Sequence, residues 1–142
     1  MESVLDKIKF KKQPIINVDG GDVLKVMKKS SFSNFNFQEV YFSFINYNYV
    51  KGWKLQRKMT SNLSVPLGEV KFVFVTEDFK NSRIITLSEK NFGILTIPPN
   101  IWYGFKGLGK EKSLILNLCD HEHNDKEVKK INMQKFPLKI KI

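Results

Sequence analysis

Short apolar stretches recur along the chain, and several alternate with polar residues in the two-residue rhythm of a β-strand. They are rich in β-branched and aromatic side chains, and turn-forming residues separate them about every 8–12 positions. We therefore expect strands within residues 7–18, 39–45, 50–59, 63–65, 70–75, 84–87, 93–97, 114–118 and 137–142, with 23–27 ambiguous between a strand and a short helix.

Such a succession of short strands predicts an all-β fold, either a sandwich or a barrel. Residues 19–22 form a turn, and residues 30–36 form a polar loop. Only Glu122–Met133 has helical potential late in the chain, which predicts one short helical segment there. With 142 residues and no internal repeat, we expect a single domain over residues 1–142.

The composition agrees with a strand-rich fold. The chain contains no Ala, the best helix former, while 42% of its residues are hydrophobic and 13% are aromatic. This content is sufficient for a buried core and excludes a disordered chain. A helical bundle or a coiled coil is not expected.

Several classes of protein are excluded by simple features. Cys119 is the only cysteine, so the chain has neither an internal disulfide nor a cysteine-based zinc site, and we expect a buried thiol there. The first 12 residues lack the apolar core of a signal peptide. No apolar run approaches the roughly 18–20 residues that a membrane span needs, so we expect a cytoplasmic protein without membrane contact.

The net charge of +10 first suggests nucleic acid as a partner. Of the 24 cationic residues only Arg57 and Arg83 are arginines, and the lysines are dispersed along the chain. A dispersed lysine surface is typical of a solvated face, so we do not expect nucleic acid binding. A basic barrel for single-stranded nucleic acid stays an alternative, because the net charge is accompanied by the closely spaced series Phe32, Phe35 and Phe37.

Five stretches, taken in order and spacing, carry a resemblance to a known family. Its most specific part is the succession Leu-Ser-x-x-Asn, Ile-Pro-Pro and Gly-Phe, and the five stretches are 39–43, 50–60, 66–73, 87–91 and 97–105. From about Asp19 to Asp125 the chain resembles the cupin-type dTDP-4-dehydrorhamnose 3,5-epimerases and the related sugar-nucleotide 3,4-ketoisomerases. The resemblance implies a jelly-roll barrel, a homodimer, and a nucleotide-diphosphate sugar bound in the barrel mouth. It implies no metal and no organic cofactor.

Epimerisation beside a ketone needs a base, a donor for the enolate oxygen, and an acid that returns a proton. The family's Arg-Gly-x-His element appears here with Lys51 at the arginine and Lys54 at the base histidine. The resemblance thus implies Lys54 as the catalytic base, while Tyr103 is expected as a second catalytic residue. For substrate binding we expect Lys51, Gln56, Arg57, Asn62 and Trp102, with Lys51 and Arg57 near the diphosphate.

The chain departs from the family pattern at four positions. Besides the two lysines, the turn at residues 19–22 lacks the family's arginine, and no tyrosine stands near Leu116 and Asn117, where the family carries its acid. A lysine can act as a base only where burial or neighbouring cations lower its pKa. These departures motivate a second hypothesis, a cupin that binds a sugar nucleotide or a partner enzyme without turning it over.

Other chemistry is weakly indicated. A metal-binding cupin needs a cluster of histidines, but this region offers Lys54 and Gln56 instead. His121 and His123 are expected to be solvated, although they could cover the barrel mouth. Tyr41 is expected to pack in the core.

The leading hypothesis is an isomerase that acts beside the 4-keto group of a nucleotide-linked sugar in surface polysaccharide or sugar biosynthesis.

Overall fold

The regular structure of the chain consists of β-strands and single 3-10 turns, in a computed structural model that describes residues 2–137. The strands are β1 (Lys9–Lys12), β2 (Ile15–Ile16), β3 (Val23–Leu24), β4 (Glu39–Ile45), β5 (Val50–Gln56), β6 (Ser61–Leu67), β7 (Glu69–Thr76), β8 (Ser82–Ser88), β9 (Gly93–Ile97), β10 (Ile101–Gly107), β11 (Ser113–Cys119) and β12 (Val128–Lys130). The turns are Val4–Lys7, Lys29–Ser31, Asp125–Glu127 and Met133–Lys135. Within the described range, no helix is long and apolar enough to cross a membrane.

Two five-stranded antiparallel sheets face each other. The first has the order β1-β9-β6-β11-β4, the second has the order β12-β5-β10-β7-β8, and β2 and β3 form a separate hairpin. Apolar side chains of both sheets meet between them in one core, which includes Ile45 and Leu63 from the first sheet and Phe72 and Phe74 from the second. The fold is therefore the all-β, cupin-type jelly roll that the sequence predicted.

The alternation of side chains along β7 shows how the second sheet separates two apolar layers. Val70, Phe72 and Phe74 point into the core between the sheets. Val73 and Val75 point to the opposite face. Because successive side chains of a strand point to opposite faces, a continuously apolar strand of this kind must be covered on both sides.

The C-terminal segment provides this second cover. Its Phe136 stacks on Trp53 of β5, with ring centroids 4.1 Å apart. Trp102 of β10 meets the same phenylalanine edge-on. Strand β12 pairs with the outer edge of β5, so the segment protects both the face and the edge of the second sheet.

The sequence pattern predicted most strands close to their observed bounds, with three differences. Strand β10 was not expected, because Pro98 and Pro99 precede it and Gly104 interrupts it. Pro66 lies inside β6 rather than in the turn, which begins at Gly68. The expected helical segment 122–133 consists of one 3-10 turn followed by β12. The final strand expected at 137–142 falls almost entirely on residues 138–142, which lie outside the described range.

Candidate active site

A cavity of about 200 Å³ lies between the two sheets. Strands β4, β6 and β11 line it from the first sheet, and β5, β7 and β10 line it from the second. Its residues are Tyr41, Ser43, Lys51, Gly52, Lys54, Leu63, Phe72, Tyr103, Phe105, Ile115 and Asn117. Polar groups thus occur on both walls, over an apolar floor.

An irregularity in the pairing of β5 with β10 places two lysines on one side of the cavity. Lys54 lies opposite Tyr103, but Lys51 lies opposite Phe105, so three steps along β5 match two steps along β10. In a regular strand, residues three apart point to opposite faces. The extra residue removes this alternation, as a β-bulge does, and both ammonium groups can face the same space.

Gly52, between the two lysines, is suited to this close packing. A Cβ atom at this position would lie 3.0 Å from the Cα of Gly104 and 3.1 Å from the sulfur of Met133. A larger residue would fit only if the Gly104 backbone and the Met133 side chain gave way by a few tenths of an ångström. Glycine here therefore allows β5 to carry its irregularity while it remains paired on both edges.

The surroundings of Lys54 favour its uncharged form. Partial burial lowers the pKa of its ammonium group most, and the neighbouring charges of Lys130 and Lys51 lower it further, while Asp125 acts in the opposite direction. An uncharged amine is a base, whereas the ammonium form is not. The pKa of Lys54 is thus shifted toward base chemistry.

Lys51 connects the two sheets at the same end of the cavity. Its Nζ donates a hydrogen bond of 2.7 Å to the carbonyl oxygen of Phe44. Phe44 belongs to β4, which ends the first sheet. The ammonium group has two further protons and stays available to an anionic ligand at the cavity.

Tyr103 is buried opposite Lys54 and keeps its phenolic proton. Burial raises the pKa of its hydroxyl most, Tyr41 and Cys119 raise it further, and a hydrogen bond with Ser61 offsets part of the rise. A phenol that remains protonated is a hydrogen-bond donor. Tyr103 can therefore donate to an oxygen that gains negative charge in the cavity.

Tyr41 lies on the opposite wall, where it is bonded to Asn117, which is in turn held by Asn62. The backbone N–H of Asn62 donates to Oδ1 of Asn117 at 3.2 Å, which fixes the orientation of that amide. The Nδ2 of Asn117 then donates to the Tyr41 hydroxyl oxygen at 2.9 Å. Because the Tyr41 oxygen accepts this bond, its own proton is left to point elsewhere. Burial raises the pKa of this phenol as well.

The cavity floor is apolar. Leu63 and Ile115 come from the first sheet, and Phe72 and Phe105 come from the second. An apolar floor excludes water and strengthens the electrostatic interactions of the polar groups above it. The cavity combines two lysine amines and two phenols in such surroundings.

The structure brings together three of the seven predicted site residues, Lys51, Lys54 and Tyr103. Gln56 lies on the same strand but lines a separate cleft with His121 and Asn124. Asn62 is buried beside β9, where its Oδ1 accepts a hydrogen bond from Thr96.

Arg57 and Trp102 also lie away from the cavity. Arg57 donates to Glu77 and to Asn100, at 2.9 Å each. Trp102 faces the outer apolar cluster of the second sheet, and its buried Nε1 has no hydrogen-bond partner among the described residues. The substrate-binding roles of these two residues and of Gln56 and Asn62 stay predictions, without support from their positions.

The two histidines and the cysteine do not form a metal site. His121 and His123 are exposed, and their ring nitrogens lie 2.9 Å from Asp120 and Asp125, respectively. Cys119 is a buried free thiol. In the described part of the chain, no group of three or more His, Cys, Asp or Glu side chains is arranged to hold a metal ion.

Tyr41, Ser43 and Asn117 are cavity residues that the sequence reasoning missed. Tyr41 was expected in the core, but 39% of its surface is exposed. Nearly every residue of β4 is apolar or aromatic, so the alternation does not show which face points inward. Asn117 carried a usable signal, since it is the one polar side chain within the apolar run Leu114–Leu118.

No protein-family model and no curated protein matches the chain. Among solved structures, the chain is similar to a dTDP sugar isomerase from Desulfovibrio desulfuricans G20, with a TM-score of 0.85 and 29% identity over 90% of this chain and 85% of that one. A dTDP-4-dehydrorhamnose 3,5-epimerase from Bacillus anthracis, with TDP and PPi bound, has a TM-score of 0.80 and 17% identity over 100% of this chain and 90% of that one.

A sugar 3,4-ketoisomerase from Thermoanaerobacterium thermosaccharolyticum, in complex with TDP, has a TM-score of 0.74 and 18% identity over 89% of both chains. At such identities the last two structures show a common fold. The neighbours are dTDP-sugar epimerases and isomerases, and the resemblance stated from the sequence is thereby confirmed.

Proposed function

We propose that the protein is an isomerase that acts beside the 4-keto group of a nucleotide-linked sugar in polysaccharide or sugar biosynthesis. The observation that carries this proposal is the cavity itself, in which Lys54 and Tyr103 of one sheet face Tyr41 of the other. A base and a proton donor on opposite walls suit a reaction that removes a proton from one face of a carbon and returns one to the other.

Lys54 is the proposed base. Its uncharged Nζ takes the proton from the carbon next to the ketone, and the electron pair of the broken C–H bond forms a C=C bond to the carbonyl carbon. The carbonyl oxygen then carries the negative charge as an enolate. Tyr103 donates a hydrogen bond to this oxygen, which lowers the barrier because the charge develops in apolar surroundings.

Tyr41 is the proposed acid. Its O–H returns a proton to the carbon from the wall of the first sheet, while the enolate reverts to a ketone. The Asn117 amide stabilises the resulting phenolate through its hydrogen bond to the Tyr41 oxygen. The proton on Lys54 is released to solvent, and solvent restores the proton of Tyr41.

The size of the cavity indicates which part of the nucleotide sugar it can enclose. Pockets that enclose a drug-sized ligand measure roughly 300–1,000 Å³. A space of about 200 Å³ suits the sugar alone. The diphosphate and the nucleoside then lie outside it, where the ammonium group of Lys51 can bind a phosphate oxygen as a point charge.

Deuterium uptake tests this function directly. The protein is incubated in deuterated water with dTDP-, GDP- and UDP-linked 4-keto sugars, and we expect exchange at the carbon beside the ketone. Lys54→Met should reduce the rate by roughly 10²–10⁴-fold, as loss of a general base does. Lys58→Met is the matched control, because Lys58 is an exposed residue paired with Glu127 and does not line the cavity. Absence of exchange with every sugar, or an undiminished rate in Lys54→Met, would contradict the proposal.

A cupin that binds the sugar nucleotide without turnover is the second candidate. It is favoured by the lining of the cavity, which includes neither a histidine nor a carboxylate. Tight binding of a nucleotide sugar by calorimetry, together with no deuterium uptake, would select it.

We also propose that the protein forms a homodimer through the outer face of β4. This strand ends the first sheet, and its outward side chains Val40, Phe42 and Phe44 form an exposed apolar row. An uncovered apolar edge strand invites pairing with another chain. A second copy would cover this row.

A further inference from the structure

Strand β12 brings a lysine from the C-terminal segment to the proposed base. In the pairing of β12 with β5, Lys130 lies directly opposite Lys54. Residues directly opposite in an antiparallel pair have Cβ atoms roughly 4.5–5.5 Å apart. The two side chains thus leave the sheet on the same face and close to each other.

The position of Lys130 is fixed by the residues that follow it. Ile131 and Trp53 exchange two backbone hydrogen bonds of 3.0 Å each. Phe136 then stacks on the Trp53 ring. These contacts hold the backbone of the segment against β5, so the Cβ atom of Lys130 stays opposite that of Lys54.

The charged and titratable groups around Lys54 come from five places. Lys51 is on its own strand, Lys130 is on β12, Asp125 precedes β12, Tyr103 is on β10, and Tyr41 faces it from β4 across the cavity. Asp125 is the only carboxylate among them, and it is shared with Lys130 at 3.8 Å and with His123 at 2.9 Å. The charged groups around Lys54 are therefore mostly positive.

We propose that Lys130, which lies directly opposite Lys54, is a positioning residue that favours the uncharged form of the Lys54 amine for its role as the base. Like charges directly opposite in a sheet are destabilising, so the pair weakens the attachment of β12 rather than strengthening it. The pair instead makes Lys54 a better base, because one ammonium group makes it harder for a second amine nearby to hold its proton. The role of Lys130 rests on the proposed function, whereas its electrostatic effect on Lys54 does not.

A titration of Lys54 by NMR tests the effect without any substrate. Lysine is labelled with ¹³C at Cε, and Lys54→Met identifies the signal that belongs to Lys54. We expect Lys130→Gln to raise the pKa of Lys54. Lys130→Arg keeps the positive charge and should leave the pKa of Lys54 unchanged. Lys129→Gln is the matched control, since Lys129 is the adjacent residue of β12 but pairs with Glu77.

The same variants are then compared in deuterium uptake. Below the pKa of the base, Lys130→Gln should slow the exchange by roughly three- to tenfold and move the pH profile upward, and Lys130→Arg should restore both. An identical Lys54 titration in wild type and Lys130→Gln would overturn the proposal. If the titration moves but the wild-type protein shows no exchange, the effect on Lys54 holds and the proposed function fails.

Discussion

Burial acts in opposite directions on the amine and the phenols of the cavity. It lowers the pKa of Lys54 and raises those of Tyr103 and Tyr41, because each group is driven toward its uncharged form. In water a tyrosine with a pKa of about 10 loses its proton slightly before a lysine with a pKa of about 10.4. The cavity favours the reverse order. A neutral amine can then coexist with neutral phenols, which is the combination that base and acid catalysis together require.

This order predicts the pH dependence of the reaction. The rate of deuterium uptake should rise with pH as Lys54 loses its proton, and it should fall at higher pH as a phenol ionises. The measurement is the initial exchange rate between about pH 6 and pH 10. In Lys54→Met the rising limb should disappear. A rate that falls steadily as pH rises would assign the base to another group.

Substitution of Tyr41 separates the two proton transfers. Tyr41→Phe removes the O–H that returns the proton but leaves Lys54 in place. We expect exchange with solvent to continue while formation of the isomerised product falls by roughly 10²-fold or more. Both are followed in one sample by proton NMR. Tyr47→Phe is the matched control, because Tyr47 is exposed and does not line the cavity. Equal losses of exchange and of product would show that Tyr41 has no separate role.

The residues that converge at the cavity were only partly predictable from the sequence. Lys51 and Lys54 were identified through the resemblance and Tyr103 as an inward-facing aromatic residue, and the three do lie together. Tyr41 was missed because β4 and β5 belong to different sheets, and alternation along one strand says nothing about the residue that faces it across the core. Gln56 was included because it matches a glutamine or histidine of the resembling family, yet it lines another cleft.

At the scale of elements, β5 is the strand on which the site depends. It is paired on one edge with β10 and on the other with β12. Its strand character was readable from the sequence, but its extra residue was not, because a bulge exists only relative to a partner strand. The pairing with β12 was also unreadable, since Val128–Lys130 is three residues long and mostly polar. The strands with longer apolar runs, such as β7 and β11, were predicted because their periodicity is visible within the strand itself.

The attachment of the C-terminal segment should depend on Phe136. This side chain is buried against Trp53 and Trp102, so Phe136→Ala removes an aromatic anchor and leaves a cavity. We expect a loss of about 3 kcal/mol in the free energy of unfolding, measured with urea. Amide exchange in β12 should also become faster. Phe37→Ala, at a side chain that is 55% exposed, should change stability by less than about 0.5 kcal/mol. Equal effects of the two substitutions would show that Phe136 is not an anchor.

At the scale of the whole molecule, the positions of the charged residues matter more than the net charge. The +10 excess suggested a polyanion when only the composition was considered. In the folded chain, Lys51, Lys54 and Lys130 gather on one side of β5, where mutual repulsion favours a neutral amine. Lys112 instead lies over the ring of Phe44, 4.5 Å from its centroid, on the outer face of the first sheet. The same residue type thus has different effects in different parts of the fold.

The outer face of β4 leads to the last prediction, which concerns assembly. Phe42 is 65% exposed in the centre of the apolar row, so burial against a second copy would contribute to association. Phe42→Lys should weaken a dimer by roughly 100-fold, because it loses this contact and brings two charges together at the interface. Sedimentation at several concentrations measures the change. Ile84→Lys is the matched control, since Ile84 is 54% exposed on β8, which ends the other sheet. A wild-type protein that remains monomeric at high concentration, or a dimer that only Ile84→Lys disrupts, would place the interface elsewhere or exclude it.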